Sequence, residues 1–237
     1  MRENDGGLKD RFINTMQTRI LSGELKPGDA LPPERELAKQ LGISRGSVNQ
    51  GILDMERMGF VRIVPRKGSF VADYIKNATP VTLSAIMSYD SELVDGNLFK
   101  DLMDMRILIE RECARLACKN VNTAAVKELC ERNGQIHGHA GEALVEALYG
   151  YHLCIVKISG NAAYSMVFQS FEKMLKNLMQ LHYSSENELK RNLPVYDALT
   201  AAISRGDSAE ADELITRLLG SASAYLKLTL RGRGERT

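Results

Sequence analysis

The chain has 237 residues, a formal net charge of +1 and an apolar fraction of 44%, so it is long enough for two domains and apolar enough to bury a core. No apolar run approaches the ~20 residues of a membrane-spanning helix, and the N-terminal stretch MRENDGGLKDRF lacks the apolar region of a signal peptide. We therefore expect a cytoplasmic protein without a membrane partner.

Charge is distributed unevenly along the chain. Residues 1–77 carry 13 Lys and Arg against 10 Asp and Glu, whereas the remaining 160 residues carry 18 against 20. A basic front half and an acidic back half are typical of a nucleic-acid-binding module joined to another domain, although an imbalance of this size also arises by chance.

The four cysteines lie in apolar stretches and form no C-x-x-C pair: Cys113, Cys118, Cys130 and Cys154. This usage indicates no disulfide framework and no metal-binding pair. We predict buried, reduced thiols, as is usual in a cytosolic protein.

The front of the chain predicts three helices. Apolar residues at helical spacing predict the first over 8–22, followed by the Gly- and Pro-rich stretch GELKPGDALP, which excludes regular structure. The second occupies about 33–41, since proline is tolerated in a first helical turn, and Gly42 ends it. Ser44 is a favourable N-cap for the third helix, which covers 44–58.

The stretch FVRIVPRKGSFVAD at 60–73 predicts two short strands around a turn at Arg66-Lys67-Gly68. The order helix, helix, turn, helix, hairpin is that of a winged helix-turn-helix. In such a module the third helix is the recognition helix, which enters the major groove of DNA.

The predicted recognition helix contains two glycines, Gly46 and Gly51, each of which costs about 1 kcal/mol relative to alanine in a helix interior. Small residues on this helix allow DNA to approach its backbone, and N–H groups of the first turn can meet a phosphate. Gly46 fits this interpretation better than Gly51, which lies one turn later and can equally serve a contact between helices.

Residues 78–98 predict a linker that holds one short helix at about 83–87, and residues 99–237 predict an all-α domain. Its helices are expected near 99–119, 123–138, 141–159, 162–184, 187–204 and 208–229. The predicted fold class is therefore mainly α, with an N-terminal winged helix-turn-helix over 1–77 and a C-terminal all-α helical bundle.

Two stretches, LKPGDALPPERELAKQLGISRGSV and MERMGFVRIVPRKGSFV, resemble the DNA-binding domain of the GntR family of bacterial transcription regulators. The resemblance covers about residues 8–73 and lies in the L-x-P-G-x-x-L-P-x-E-R-x-L-A motif, the Ser-Arg pair that opens the third helix, and the GSFV end of the wing. The helical remainder, with FKDLMDMRILIERECARLA and YHLCIVKISGN, is similar to the C-terminal FCD-type sensor domain of the FadR subfamily. The resemblance implies a homodimer that binds a pseudo-palindromic DNA operator and senses a small molecule, for instance an organic acid or an acyl thioester.

Carried over residue by residue, the resemblance implies that Arg35 and Arg45 contact DNA, that Ser44 contacts a phosphate, and that Lys67 and Gly68 form a wing tip in the minor groove. Arginine pairs bidentately with guanine and also binds phosphate, although Arg35 could instead pair with an adjacent glutamate. The complete predicted DNA-binding set is Arg35, Ser44, Arg45, Gly46, Ser47, Asn49, Arg66, Lys67 and Gly68.

Two positions depart from the family pattern. Where family members usually carry a second arginine, this chain has Asn49, which would pair with adenine rather than guanine or contact nothing. Where the wing usually has a glycine two residues before Gly68, this chain has Arg66, which adds a charge and loses a flexible position.

Many relatives in the FadR subfamily bind a divalent metal through one aspartate and three histidines. The corresponding positions in this chain hold Leu148, His152, Tyr196 and Leu218. One ligand of four remains, and a single imidazole does not hold a zinc or nickel ion. We therefore predict no metal and no other cofactor.

The predicted effector-binding residues are Arg106, His152 and Tyr196. His152 is either a buried histidine that is hydrogen-bonded within a helical core, or a polar group that lines a cavity together with Tyr196. Arg106 lies on an otherwise apolar helix face, and an unpaired buried charge is costly. Its partner is therefore either Glu110, one turn further on, or an anionic ligand.

The sequence has no catalytic signature such as G-x-S-x-G, a P-loop or H-E-x-x-H, so we do not expect an enzyme. We predict a DNA-binding transcription regulator, a repressor whose operator affinity depends on an effector in the helical domain. As an alternative, the helical domain is only a dimerisation scaffold for an effector-independent repressor. A winged helix that binds protein instead of DNA is a third possibility.

Overall fold

The computed structural model describes residues 5–87 and 96–234. The chain divides into two compact units, Met1–Asp95 and Gly96–Thr237, each with its own buried apolar residues. Part of the predicted linker, residues 88–95, lies outside the described residues. No helix in the described ranges is long and apolar enough to cross a membrane.

Over residues 5–87, the first unit contains four helices and one hairpin. Its elements are α1 Asp5–Leu21, α2 Glu34–Leu41, α3 Arg45–Arg57, β1 Val61–Val64, β2 Gly68–Val71 and α4 Pro80–Met87. The two strands pair antiparallel, from Val61 opposite Val71 to Val64 opposite Gly68. The predicted winged helix-turn-helix is therefore confirmed, and α4 begins three residues earlier than expected.

Three local features determine the geometry of the helix-turn-helix. Phe12 and Met16 of α1 are fully buried against α3. Gly42 ends α2 in the left-handed conformation, with φ 64°, which glycine adopts without the penalty of a β-carbon. The hydroxyl of Ser44 then accepts a hydrogen bond from the backbone N–H of Ser47 at 3.0 Å, so α3 starts where the sequence predicts it.

The second unit is a bundle of seven helices within the described residues, which confirms the predicted all-α domain. They are α5 Gly96–Asn120, α6 Thr123–Gly138, α7 Gly141–Ile158, α8 Ala162–Ser170, α9 Glu172–His182, α10 Glu186–Ser204 and α11 Ser208–Gly234. Helix α7 lies at the centre, since it contacts α5, α6, α8 and α9. Apolar and aromatic residues all around α7 are buried, as expected for a central helix.

The single helix predicted over 162–184 is wrong, because the chain forms two helices there. Phe171 stays in the right-handed region but departs from ideal helix values, with φ −88° and ψ −1°, and separates α8 from α9. The hydroxyl of Ser170 donates to the carbonyl of Val167 at 2.7 Å, a back-bond of the kind that bends helices. Apolar residues continue on both sides of the break, so the periodicity of the sequence does not reveal it.

The prediction of buried thiols is wrong for Cys130, which is exposed on α6, whereas Cys113, Cys118 and Cys154 are buried. Burial raises the pKa of the Cys113 and Cys154 thiols to about 11. These two side chains are therefore protonated at neutral pH and act as small apolar groups.

Candidate functional site

The exposed side of the helix-turn-helix and the wing carries cations without ionic partners. Arg35, Arg45, Arg66 and Lys67 are exposed and form no ion pair with any described residue. Elsewhere in this unit, by contrast, Lys9 and Arg57 both pair with Asp54, and Arg19 pairs with Glu24. These four cations are thus available to an anionic partner such as the DNA backbone, as are five further exposed cations of this unit that form no ion pair with a described residue: Arg11, Lys26, Lys39, Arg62 and Lys76.

The alternative partner considered for Arg35, a neighbouring glutamate, is not used. Glu36 accepts a hydrogen bond from Gln40 at 3.1 Å, and Glu34 accepts one from Asn49 at 2.9 Å. Arg35 is therefore free for contact with DNA, and Asn49 is bound to α2 through Glu34.

Ser44 and Ser47 together form the cap of α3. Besides the capping bond, their hydroxyl oxygens lie 2.8 Å apart. Ser47 is 5% exposed, so we assign its side chain to the cap and not to the DNA surface, which corrects its predicted role. Ser44 is exposed, and its phosphate contact stays a prediction.

The two glycines of α3 have different surroundings. A β-carbon added at Gly46 would meet only the Ser44 hydroxyl oxygen, at 3.7 Å, so the backbone there is open to a partner. A β-carbon at Gly51 would lie 2.3 Å from Cδ1 of Phe12. The contact between helices is thus the right interpretation for Gly51, and close approach of DNA stays a prediction for Gly46.

Arg66 in the turn of the wing adopts φ 64°, the one positive φ among the described residues other than glycine. This left-handed conformation costs an L-residue about 1–2 kcal/mol. The wing therefore keeps the backbone that a glycine would give, and Arg66 places its side chain at the exposed tip beside Lys67 and Gly68.

The second unit contains a small polar cavity, defined by side chains of α5, α7, α9, α10 and α11. It is lined by Arg106, His152, Leu178, Met179, His182, Tyr183, Tyr196, Leu218, Leu219 and Ala222. About 300 Å³ of space in and around it is free of protein atoms. All three residues predicted for effector binding, Arg106, His152 and Tyr196, thus line one cavity.

Glu110 joins two of these residues. Its Oε1 accepts from Nε of Arg106 at 2.6 Å, and its Oε2 lies 2.5 Å from Nδ1 of His152. All three side chains are at least nine-tenths buried. Burial favours a higher pKa for Glu110, but the charges and hydrogen bonds of His152 and Arg106 outweigh it and lower the pKa to about 2. The carboxylate is therefore ionised and can only accept, so Nδ1 of His152 carries a proton.

A row of hydroxyl groups continues from His152 across the cavity. The Tyr196 hydroxyl lies 3.3 Å from Nε2 of His152 and 3.2 Å from the Tyr183 hydroxyl. Burial raises the pKa of Tyr196 well above its ordinary value, so the phenol stays neutral and keeps its O–H. Each phenol has a single O–H, so Tyr183 and Tyr196 can direct it either to a neighbour in this row or to the cavity, whereas Arg106 presents its amino groups there.

His182, at the end of α9, is the second histidine of the cavity and is 1% exposed. Its Nε2 lies 3.9 Å from a carboxylate oxygen of Glu188, a distance that would allow an ion pair. Burial nevertheless lowers the pKa of His182 to about 4, against the opposing effect of Glu188. His182 is thus a neutral imidazole at neutral pH, and the contact is not ionic.

The residues at the four positions where the family resemblance implies metal ligands do not fit a metal ion. Leu148 and Leu218 are buried and apolar, and ionisation of Tyr196 is opposed by burial. Both ring nitrogens of His152 already have partners in Glu110 and Tyr196. The described residues also hold no group of three His, Cys, Asp or Glu placed to bind a metal.

Several residues of the cavity are not among those predicted for it. They are Leu178, Met179, His182, Tyr183, Leu219 and Ala222. A signal exists for His182, because it continues the buried stripe of Met174, Leu175, Leu178 and Met179 on α9. A histidine on such a stripe indicates a buried imidazole that needs polar neighbours.

The winged helix-turn-helix, its unpaired cations and the helical domain with an internal polar cavity define a DNA-binding transcription regulator. Residues 8–71 match the sequence profile described as "Bacterial regulatory proteins, gntR family", and residues 101–221 match the FCD domain. The chain therefore belongs to the GntR family, with an FCD domain as its C-terminal half. The resemblance seen in the sequence is confirmed, and so is the expectation that the protein is not an enzyme.

Two curated relatives extend over most of the chain. An HTH-type transcriptional regulator of Mycobacterium tuberculosis, Rv0494, is 23% identical over 225 residues, which cover 94% of this chain and 91% of that protein. The HTH-type transcriptional regulator LutR of Bacillus subtilis is 25% identical over 201 residues, which cover 81% and 89%. A solved structure of Lar, which controls the expression of the Listeria monocytogenes agr system, has a TM-score of 0.62 at 16% identity and covers 92% of this chain and 95% of that one. This last similarity supports the fold alone.

Proposed function

We propose that the chain is a homodimeric repressor whose affinity for a pseudo-palindromic operator changes when a small organic acid binds in the polar cavity without a metal ion. The observation that carries the proposal is the buried guanidinium of Arg106 in the wall of this cavity. Its Nε–H is bound to Glu110, and its two amino groups make no hydrogen bond to any described residue. A carboxylate would satisfy both.

The other polar groups of the cavity support the same class of ligand. The hydroxyl groups of Tyr183 and Tyr196 can each donate to a carboxylate oxygen. The ligand would add a negative charge beside ionised Glu110, and the guanidinium of Arg106, which already binds Glu110, would lie between the two carboxylates. Arg106 and these neutral donors then supply the attraction that a metal ion supplies in other members of the subfamily.

The size of the cavity favours an organic acid over an acyl thioester. Its enclosed volume of about 20 Å³ is little more than one water molecule needs, so even a short acid enters only if the lining side chains move apart. Leu178, Leu218 and Leu219 line the remainder of the wall and suit a short apolar or hydroxylated carbon chain. A long acyl chain would require the helices to separate.

The mechanism proposed is a shift between two conformations of the dimer. Because the cavity is built from five helices, a ligand that pulls Arg106 and Tyr196 together favours one arrangement of these helices. A two-fold dimer presents two winged helices to two half-sites, so a changed spacing between them changes operator affinity.

The alternative of a plain dimerisation scaffold is supported by one observation. Arg106 and Glu110 already neutralise each other, so the second unit needs no ligand to compensate its buried charge. Thermal unfolding with a panel of organic acids discriminates between the two functions. A ligand at 100 times its Kd stabilises by about 2.7 kcal/mol, whereas a scaffold shows no shift with any acid.

The experiment is made decisive by two tyrosine variants. Tyr196→Phe removes the hydroxyl at the cavity, and Tyr164→Phe removes one from half-buried Tyr164 of α8, which does not line the cavity. We expect the first to abolish the acid-induced shift in melting temperature and the second to keep it, with and without a chelator. A shift that depends on added metal, or that survives Tyr196→Phe unchanged, would contradict the proposed site.

Operator affinity is then measured with and without the stabilising acid, on a sequence selected from a random duplex library. A single half-site in the selected sequence, or a monomer in sedimentation analysis, would contradict the dimer. An acid that stabilises the protein and leaves operator affinity unchanged would show that the protein binds the acid and that this binding does not regulate DNA affinity.

A further inference from the structure

The contact between Asn49 and Glu34 joins the predicted recognition helix to the helix before it. Nδ2 of Asn49 donates to Oε1 of Glu34 at 2.9 Å. Asn49 lies one turn after Arg45 on α3, so both side chains project from the same side of the helix, and both are exposed. Glu34 is the first residue of α2 and is half-buried.

The chemistry of this pair fixes the orientation of the amide. An ionised carboxylate accepts hydrogen bonds and donates none, whereas an asparagine amide has a donor end and an acceptor end. The end that faces Glu34 must therefore be the NH₂ group, because the carbonyl oxygen would be repelled there. A free asparagine can present either end of its amide to DNA, but the amide of Asn49 in this contact cannot rotate by 180°.

We propose that Asn49 is a specificity-determining residue that selects adenine, and that Glu34 is a positioning residue that fixes the direction in which Asn49 reads the base. The carbonyl oxygen, held away from Glu34, accepts from the adenine N6 amino group. The second N–H of Nδ2, which Glu34 does not use, donates to adenine N7. Adenine presents this pair of groups in the major groove.

The same orientation rejects guanine. Guanine presents two acceptors, N7 and O6, so O6 would face the carbonyl oxygen of Asn49. A freely turning amide could avoid this by directing its NH₂ group at O6, but Glu34 already holds that group. The inference rests on α3 lying in the major groove, as expected for a recognition helix.

The test uses the full chain and compares operators that differ only at the base that Asn49 reads. Selection from a random duplex library first identifies that position, as the one where Asn49→Ala loses its preference. Competition binding then measures the ratio of affinities for adenine and guanine there. A bidentate contact corresponds to discrimination of about 1–3 kcal/mol, so we expect a ratio of about five-fold to more than one hundred-fold in the wild type.

Three variants separate positioning from simple electrostatics. Glu34→Ala should lower the ratio, because a freely turning amide discriminates less well than one held in the orientation that adenine requires, and Glu34→Gln, which keeps an acceptor without the charge, should restore part of it. Glu36→Ala is the matched control, because Glu36 lies on the same helix and bonds to Gln40. It should leave the ratio unchanged while it strengthens binding to all sequences.

The outcomes distinguish the possible failures. If Glu34→Ala and Glu36→Ala strengthen binding equally and both keep the adenine preference, then Glu34 only repels phosphate and the inference is overturned. If the wild type prefers another base or none at the position of Asn49, the adenine assignment is overturned. If the wild-type library shows no enrichment at all, the inference fails together with the role of α3 as a recognition helix. The melting temperature and the salt dependence of DNA binding should be the same in all three variants. A melting temperature that changes in the Glu34 variants alone would indicate a merely structural role of Glu34.

Discussion

Gly51 packs directly against the ring of Phe12, so that α1 crosses α3 where α3 has no side chain. A β-carbon at position 51 would lie 2.3 Å from Cδ1 and 2.9 Å from Cε1 of that ring, and the ring itself is fully buried. The glycine therefore sets the distance between the helix that carries the DNA-binding residues and the helix that supports it.

We expect Gly51→Ala to destabilise the first unit by about 1–3 kcal/mol, because overpacking outweighs the gain in helix propensity. Gly46→Ala is the control, since its β-carbon would meet no atom closer than 3.7 Å, and it should stabilise by up to about 1 kcal/mol. Urea unfolding of both variants measures this. Stabilisation by Gly51→Ala would show that the helices are not in close contact, whereas a loss of operator affinity in Gly46→Ala alone would support backbone approach at Gly46.

Removal of the buried carboxylate at position 110 should be severely destabilising. Glu110→Gln leaves the 7% exposed guanidinium of Arg106 without its counter-charge, and breaking a buried ion pair in this way costs about 3–5 kcal/mol. Asp104→Asn on the same helix breaks the exposed pair with Lys100 and should have little effect. Equal stability of the two variants in denaturant unfolding would mean that Arg106 is not held by Glu110.

The buried histidine of α9 predicts a loss of stability in mild acid. The pKa of His182 is lowered to about 4 in the folded protein and is about 6.5 when unfolded. Below pH 6.5 the unfolded chain therefore binds more protons, so the free energy of unfolding falls as the pH falls towards 4. Glu110, with a lowered pKa of about 2, loses its contribution only below about pH 4.5, so the two effects occupy separate windows.

Replacement of His182 should reduce the fall in the free energy of unfolding between neutral and mildly acidic pH. We expect His182→Gln to lose about 2 kcal/mol less stability than the wild type between pH 7.5 and pH 5, as measured by urea unfolding at both values. His139→Gln, at an exposed position, is the comparison. If both variants follow the wild-type curve, His182 is protonated in the folded state and the burial argument is wrong.

The unpaired cations predict two kinds of effect on DNA binding. Arg45→Ala should weaken binding to the selected operator by about 1–3 kcal/mol and relax specificity, whereas Lys67→Ala should weaken binding to all sequences and reduce the salt slope by about 1. Arg19→Ala serves as the control because Arg19 is paired with Glu24. An equal loss in all three variants would indicate a general charge effect rather than a defined interface.

The left-handed turn of the wing predicts an order of stabilities at position 66. Arg66→Val should destabilise, because a β-branched residue adopts a positive φ poorly, while Arg66→Gly should be neutral or slightly stabilising. Urea unfolding checks the order, with Lys67→Val as the comparison. A neutral Arg66→Val would show that the turn can change its conformation at no cost.

The order of elements follows from the sequence because Gly42, the N-cap Ser44 and the wing turn are local signals that each act on a few neighbouring residues. The break at Phe171 does not follow, since the apolar pattern runs through it and a single serine back-bond accompanies it. The roles of Gly51 and of the contact between Asn49 and Glu34 also require the structure, because both join residues that are distant in the sequence.

The residues of the cavity also divide into those that the sequence indicates and those that require the structure. The polar residues on apolar stripes, Arg106 and His152, are recognisable because a buried charge or imidazole needs a partner. The second bond of Glu110, to His152 on another helix, depends on how α5 and α7 pack and has no sequence signature. His182 continues a buried apolar stripe on α9 that is visible in the sequence. Tyr183 lies just beyond the end of that helix, so the stripe does not indicate it.

Glu110 and its two partners also limit which sequences can be reached from this one by single substitutions. Aspartate in place of Leu148, one step towards the metal site that the family resemblance implies, would put a carboxylate at a position that is 0% exposed while His152 was the one other ligand of that set. Loss of Glu110 as the first step would leave the buried guanidinium of Arg106 without its counter-charge. A route to metal binding that begins at Leu148 or at Glu110 therefore passes through a chain with an uncompensated buried charge, which destabilises the fold.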